Sequence, residues 1–245
     1  MTRKTTPKTA PGGAQSSKQT EGWVLPAHQS RSREQRDRLL KAGERVFASQ
    51  GFWESHVSEI VKEADCSVGS FYRRFRDKEA LFLALQQDMH ARSHANIDRF
   101  FANPIGEQRS LTSIFFHLID NTGSEAIKIK GYYRALFEIS LRGRNVWSRM
   151  RELEEYQARC FEKLLRKRGV KNIGPDFVPS LASAIRMMTG SQISIMLHGP
   201  GPYNFNDPEL TAQLTRSLMA IAGVPVDEDE LEKLVASRKS SRRKK

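Results

Sequence analysis

Two cysteines in 245 residues cannot build a disulfide framework, so Cys66 and Cys160 read as reduced thiols and point to a cytoplasmic protein. No apolar run approaches the ~20 residues of a membrane span. The amino end has basic residues but no apolar stretch of the kind a secretory signal needs. Alternating polar and apolar runs are missing as well, so no strand is expected. There is no Ser/His/Asp order, phosphate-cradling loop or convergent carboxylate pair, which argues against an enzyme and calls for no cofactor. His90 and His94 stand four residues apart with Asp98 beyond them, a spacing open to a divalent metal or to a plain solvated pair. No Cys or Glu completes a four-ligand set, so no metal is expected.

Positive charge is what the chain has in excess, a formal +12. Nine of those charges lie in residues 1–30 and 237–245, whereas residues 31–84 are almost balanced. Residues 1–30, rich in Thr, Lys, Gly, Ser, Gln and Pro, read as a disordered basic tail. Residues 227–245 read as a short helix, 227–236, followed by a second basic tail. Such tails either add salt-sensitive, sequence-independent DNA affinity or merely keep the chain soluble.

The most informative stretch is residues 55–82. Val57, Ile60, Val61 and Ala64 recur at helical spacing, with Ser55 placed to cap that helix. Asp65-Cys66-Ser67 is too short for anything but a turn. Ser67 then caps a second helix whose inner stripe is Val68, Phe71, Tyr72 and Phe75. This is the helix-turn-helix layout, whose second helix enters the DNA major groove. Gly69 removes a side chain where DNA would come close, and Ser67 and Ser70 offer small hydroxyls to phosphates or base edges. Arg73, Arg74, Arg76 and Lys78 follow as a basic run.

Ala64-x-x-Ser67-x-Gly69-x-Phe71-Tyr72-x-x-Phe75-x-x-Lys78-x-x-Leu81, preceded by Gly51-Phe52 and Val57-x-x-Ile60, resembles the DNA-binding domain of TetR-family transcriptional regulators over roughly residues 33–85. The resemblance implies phosphate contacts from Ser55, Ser67, Tyr72 and Lys78. It lays Val68, Gly69, Ser70 and Arg73 against the bases. Arg74 joins this DNA-binding set, although His or Tyr is common there. Asp65 stands where the family usually has Gly, and Asp tolerates the left-handed conformation that the turn requires.

Helices are expected over 31–50, ended by Gly51, and from Asp77 to about 103 as one rod shared by two cores. Further helices are expected at 107–121, at 125–141 behind Ser124, at 144–168, at 176–198 and at 208–222 behind Asp207. Helix 176–198 has one apolar stripe of Phe177, Leu181, Ile185, Met188 and Ile195 and a second of Thr189, Ile193, Met196 and Leu197. These are either intrachain core or, as the resemblance implies, part of a homodimer interface with helix 208–222. Gly190, Ser191 and Ser194 would permit close helix approach. Aromatics gather between residues 100 and 161, as plain core or around a cavity. The resemblance favours an effector pocket, with Phe101, Phe116, His117, Tyr133, Arg134, Phe137 and Trp147 as ligand-binding candidates and Asn121 and Glu138 beside them. Lys128 and Lys130 hint at an anionic or acyl ligand.

The resulting expectation is an all-α protein. A three-helix DNA-binding bundle, 31–84, is joined by a long helix to a helical effector-binding and dimerisation domain, 85–226. Its function would be that of a homodimeric repressor, released from a palindromic double-stranded operator by an unidentified small molecule. A ligand-independent architectural DNA-binding protein that uses its basic tails is the competing reading.

Overall fold

The computed structural model describes residues 26–102, 109–171, 173–199, 201–205 and 207–243, with side chains from 32 to 241 within those ranges. Ten helices and no strand occur among the described residues: α1 Pro26–Gln50, α2 Val57–Glu63, α3 Val68–Tyr72, α4 Lys78–Phe101, α5 Leu111–Lys128, α6 Lys130–Ser140, α7 Ser148–Lys167, α8 Phe177–His198, α9 Pro208–Ile221 and α10 Glu228–Arg243. The expected all-helical class is what is found. No helix among the described residues is long and apolar enough to cross a membrane.

Local signals account for most boundaries. Asp77 Oδ1 accepts the Ala80 amide at 2.7 Å and so caps α4. Gly51 ends α1 at φ +90°, a conformation that glycine adopts without strain. Asp65 takes the left-handed conformation at φ 50°, so the turn between α2 and α3 forms without the usual glycine.

Four boundaries differ from expectation. Helix α1 starts at Pro26, five residues before the expected 31, with proline at its first position. The rest of the amino-terminal tail, 1–25, lies outside the described residues. The break expected near 121–124 is absent, because α5 runs through Gly123 to Lys128. A Cβ on Gly123 would sit 3.1 Å from Gln192 Nε2 and 3.7 Å from Phe205, so this glycine serves helix packing rather than termination. Ser110 caps α5, accepting the Ser113 amide at 3.0 Å, whereas Ser124, expected to cap a helix over 125–141, lies inside α5, and the next helix starts at Lys130 behind Ile129. Finally, the carboxyl end is helical through Arg243. Arg238 bonds Asp120 of α5 at 3.0 Å and Lys239 pairs with Glu209 of α9, so part of the expected basic tail is docked.

Two large apolar cores result. One joins α1 to α4 with α6, the start of α7 and the end of α8, through Phe47, Phe71, Phe82, Tyr132 and Leu136. The other joins α5, α7, α8 and α9 through Phe115, Phe161, Leu181 and Met219. Helix α4 enters both, with Leu81, Phe82, Leu85 and Met89 buried in the first and Phe100 and Phe101 against the second. The first core does not stop at residue 84. Phe82 stacks on Tyr132 of α6, ring centroids 5.8 Å apart, so the helix-turn-helix shares its interior with the second half of the chain.

Candidate nucleic-acid interface and effector cavity

Helix α3 is buried on one side by Phe71 and supported by Phe75 just beyond it. Its other side is Ser67, Val68, Gly69, Tyr72 and Arg73, all exposed. Val68 is 49% and Tyr72 55% exposed, which is unusual for large apolar side chains next to a well-packed core. Tyr72 and Val68 therefore leave the inner stripe assigned to them by spacing and join the outer face. Ser67 Oγ accepts the Ser70 amide at 3.1 Å, which fixes the start of the helix. A Cβ on Gly69 would meet only Ser67 Oγ, at 4.0 Å, and the residue is helical without positive φ. Nothing inside the chain requires glycine here, although glycine costs a helix roughly 0.5–1 kcal/mol relative to alanine.

Four residues expected at DNA are engaged by the chain itself. Ser55 is 1% exposed; its hydroxyl donates to the Phe52 carbonyl at 2.8 Å, and His56 rather than Ser55 caps α2. Ser70 is buried; its hydroxyl lies 2.9 Å from Ser67 Oγ and accepts from Arg73 Nη2 at 2.9 Å, so it aims Arg73 rather than meeting bases. Lys78 Nζ donates to the Ser55 carbonyl at 2.6 Å, to Trp53 O at 3.2 Å and to Phe52 O, which engages all three of its N–H bonds. Burial pulls its pKa below the ordinary lysine value, while Glu138, Glu54 and Glu59 oppose the shift. Arg74 Nη2 bonds Ser32 O at 3.1 Å and Ser32 Oγ at 3.2 Å, tying α3 to α1. Sequence spacing correctly groups these positions around α3 but cannot say which of them face outward.

A cavity of about 420 Å³ opens among α4, α5, α6, α7 and α8, within the size range of small-molecule sites. Apolar side chains such as Ile97, Phe100, Leu118 and Ile185 form much of its wall. Tyr133, Glu154 and Gln157 are polar, buried and on the same wall. Glu154 Oε2 accepts from Arg186 Nε at 2.7 Å. Burial raises the Glu154 carboxyl above the usual glutamate value, and Arg186 works against that shift. Of the seven ligand-binding candidates, only Tyr133 lines this cavity; Asn121 does too. Phe101 packs on Phe161, and Phe116 is covered by Ala212 and Leu231. His117 lies edge-on to Phe116 near Arg238, where burial lowers its pKa. Phe137 and Trp147 pack edge to face on each other, 5.2 Å apart. Lys128 is an exposed partner of Glu125; neither Lys128 nor Lys130 lines the cavity, whereas Arg99 does. No group of three His, Cys, Asp or Glu side chains that could hold a metal occurs among the described residues.

Residues 39–85, from the middle of α1 into α4, match the family described as bacterial regulatory proteins, tetR family. These residues are similar to the helix-turn-helix domain of that family. An uncharacterized HTH-type transcriptional regulator of Bacillus subtilis, YdgC, is 48% identical over 63 residues, 26% of this chain and 32% of that protein. The HTH-type transcriptional repressor NemR of Escherichia coli is 34% identical over 74 residues, 30% of this chain and 37% of its own length. The chain thus matches about a third of the length of these curated relatives. A crystal structure of GusR from Salmonella enterica shares the fold, with a TM-score of 0.60 at 18% identity, over 77% of this chain and 95% of that one.

The TetR-type domain is locked to α6 by polar contacts that spacing did not reveal. Glu44 of α1 accepts the Gly131 amide at 2.7 Å, a cap supplied from another helix. A Cβ on Gly131 would fall 1.9 Å from the Glu44 carbonyl oxygen, so only glycine permits this crossing. Arg134, expected in a pocket, instead donates to the carbonyls of Ala48, Ser49 and Gln50 at 3.0, 3.0 and 3.1 Å, closing the open end of α1. Glu138 accepts the Phe52 amide at 2.5 Å, and its carbonyl accepts Trp53 Nε1 at 3.1 Å. The i,i+4 spacing of Arg134 and Glu138 was the only sequence signal, and it names a pair without naming the helix end they hold.

Proposed function

We propose that this chain is a cytoplasmic, homodimeric, effector-responsive repressor that reads double-stranded DNA with α3. The observation that carries the reading is the outer face of α3. Val68, Tyr72 and Arg73 stand in solvent around Gly69, whose missing side chain has no use inside the chain. The DNA-binding set becomes Ser67, Val68, Gly69, Tyr72 and Arg73, with Ser55, Ser70, Arg74 and Lys78 as the scaffold behind it. The name of the repressor NemR, one of the relatives, supports the sign of regulation.

One short helix reads few base pairs, so a twofold dimer reading two half-sites of a palindrome is required for useful specificity. The exposed line on α8 is Ser183, Met187, Gly190, Ser191 and Ser194, with Met187 64% exposed. Ile221 and Ala220 extend it on α9. Most of both apolar stripes of α8, from Phe177 to Met188 and at Ile193 and Met196, is intrachain core. The partner would therefore meet the small residues and Met187. Sedimentation of the full chain tests this, with Met187→Glu expected to shift the population toward monomer.

An effector in the cavity would act through α6. Tyr133 lines the cavity, while Gly131, Arg134 and Glu138 on the same helix hold the end of α1. A ligand that prefers one placement of α6 shifts the pair of recognition helices; one indifferent to it does not regulate. Footprinting on the DNA upstream of its own coding sequence is the decisive experiment, expected to protect a palindrome. Arg73→Ala should then cost about 1–3 kcal/mol of discrimination between that site and random DNA. Equal loss on both would remove α3 from the role of sequence reader. Deleting residues 1–25 should lower affinity on all sequences alike or leave it unchanged; loss of the footprint alone would favour the architectural reading.

A further inference from the structure

The cavity wall carries polar groups that the chain leaves without partners. Tyr133 and Gln157 are 6% and 7% exposed, and neither side chain forms a hydrogen bond among the described residues. Glu154 is 5% exposed; Arg186 takes its Oε2, and no bond to Oε1 is made among the described residues. All three line the cavity, so a molecule that fills it can bond their free atoms. Glu154 and Gln157 are three residues apart on α7 and so share a face, with Met150 and Leu153 also in the lining. Tyr133 on α6 completes the polar wall. The rest of the lining mixes the apolar Ile97, Phe100, Leu118 and Ile185 with polar residues such as Asn96, Asn121 and Thr189 and with the exposed, charged Arg99 and Glu125.

We propose that this cavity takes a compact amphiphile with an apolar body and an uncharged head that both donates and accepts hydrogen bonds, a hydroxyl or a primary amide. The head donates to Glu154 Oε1 and accepts from the Tyr133 phenol or the Gln157 amide. A carboxylate head would give up its water beside Glu154, whose charge Arg186 already balances, and would gain no counter-charge from the buried lining. An amine gains little, because Arg186 already neutralises Glu154. This inference rests on the effector-binding reading above and specifies its ligand.

The test uses the full chain and three probes with one phenylpropyl body: hydrocinnamyl alcohol, hydrocinnamamide and hydrocinnamate. Calorimetric titration and thermal shift should show the alcohol and amide binding one site, and the carboxylate binding roughly tenfold or more weakly. Tyr133→Phe and Gln157→Leu, each checked by circular dichroism, should weaken the alcohol without unfolding the chain. Glu154→Gln should narrow the gap between carboxylate and alcohol. Equal affinity for alcohol and carboxylate, no effect of Tyr133→Phe and Gln157→Leu together, or no binding of any probe overturns the proposal. Footprinting on the same preparations keeps the two readings apart. A protected operator with failed probes sinks the head-group chemistry alone; no protected site sinks the regulator.

Discussion

In the helix-turn-helix, Ser55, Ser70, Arg74 and Lys78 all bond to the chain itself, and the outer face is left to Ser67, Val68, Gly69, Tyr72 and Arg73. In the cavity the order is reversed. Its apolar wall is packed into the two cores, while Tyr133, Gln157 and one oxygen of Glu154 wait for a partner. The contrast follows from the two targets. DNA brings a rigid, charged surface, so the protein presents a rigid edge whose polar support is complete before contact. A small molecule in the cavity would instead be recognised by polar atoms that the chain leaves free.

Between the two regions lies the α1–α6 joint, and disturbing it should give the largest effect. Gly131→Ala places a methyl group on the Glu44 carbonyl, and overpacking of this kind should cost about 3 kcal/mol. A lower Tm with loss of operator affinity is the expected pair of readouts. Unchanged stability would mean that α6 and α1 separate freely and that the joint transmits nothing.

Lys78→Ala comes next, at about 1–3 kcal/mol, because three carbonyls of the 52–55 loop lose their donor. Urea titration should show the loss. The salt dependence of DNA binding by the folded variant should stay as in the parent, since no phosphate contact disappears. A shallower salt slope would return Lys78 to the DNA surface.

Gly69→Ala should separate folding from reading. The free protein should gain about 0.5–1 kcal/mol, while operator affinity falls. A gain in both would show that DNA does not approach the α3 backbone closely.

The smallest effect concerns pH. The Asp77 carboxyl is held below the ordinary aspartate range by the Ala80 amide and, secondarily, by Arg76. Its contribution is complete above the unfolded aspartate pKa and is lost as pH falls through the lowered folded value. Asp77→Asn still caps α4, so melting near neutrality should shift by a few tenths of a kcal/mol at most, while acid unfolding over that window becomes less steep. An unchanged acid limb would remove Asp77 from the cap.

Local pattern located the turn at 65–67, the cap Ser67 and the long helix that opens near Asp77 and enters both cores. These depend on backbone preferences and on apolar spacing within a few residues, which a sequence displays directly. The same spacing misassigned Gly123 as a breaker, because a glycine that ends a helix and one that admits a neighbouring side chain look alike in one dimension. The resemblance placed Arg134, Phe137 and Trp147 in a pocket, and nothing in the spacing could correct it, because aromatic and polar residues on neighbouring turns do not say which helix they meet.

Composition and local pattern thus determined an all-helical chain with a DNA-reading hairpin near its amino end. Only the tertiary packing decided that Lys78 and Ser55 bond to the 52–55 loop, that Arg134 and Glu138 close a helix terminus, and that Tyr133 and Gln157 line one cavity. The physical reason is that whether a polar atom is satisfied depends on which distant atoms come within about 3 Å of it, and that distance is set by the tertiary fold rather than by neighbours in the chain.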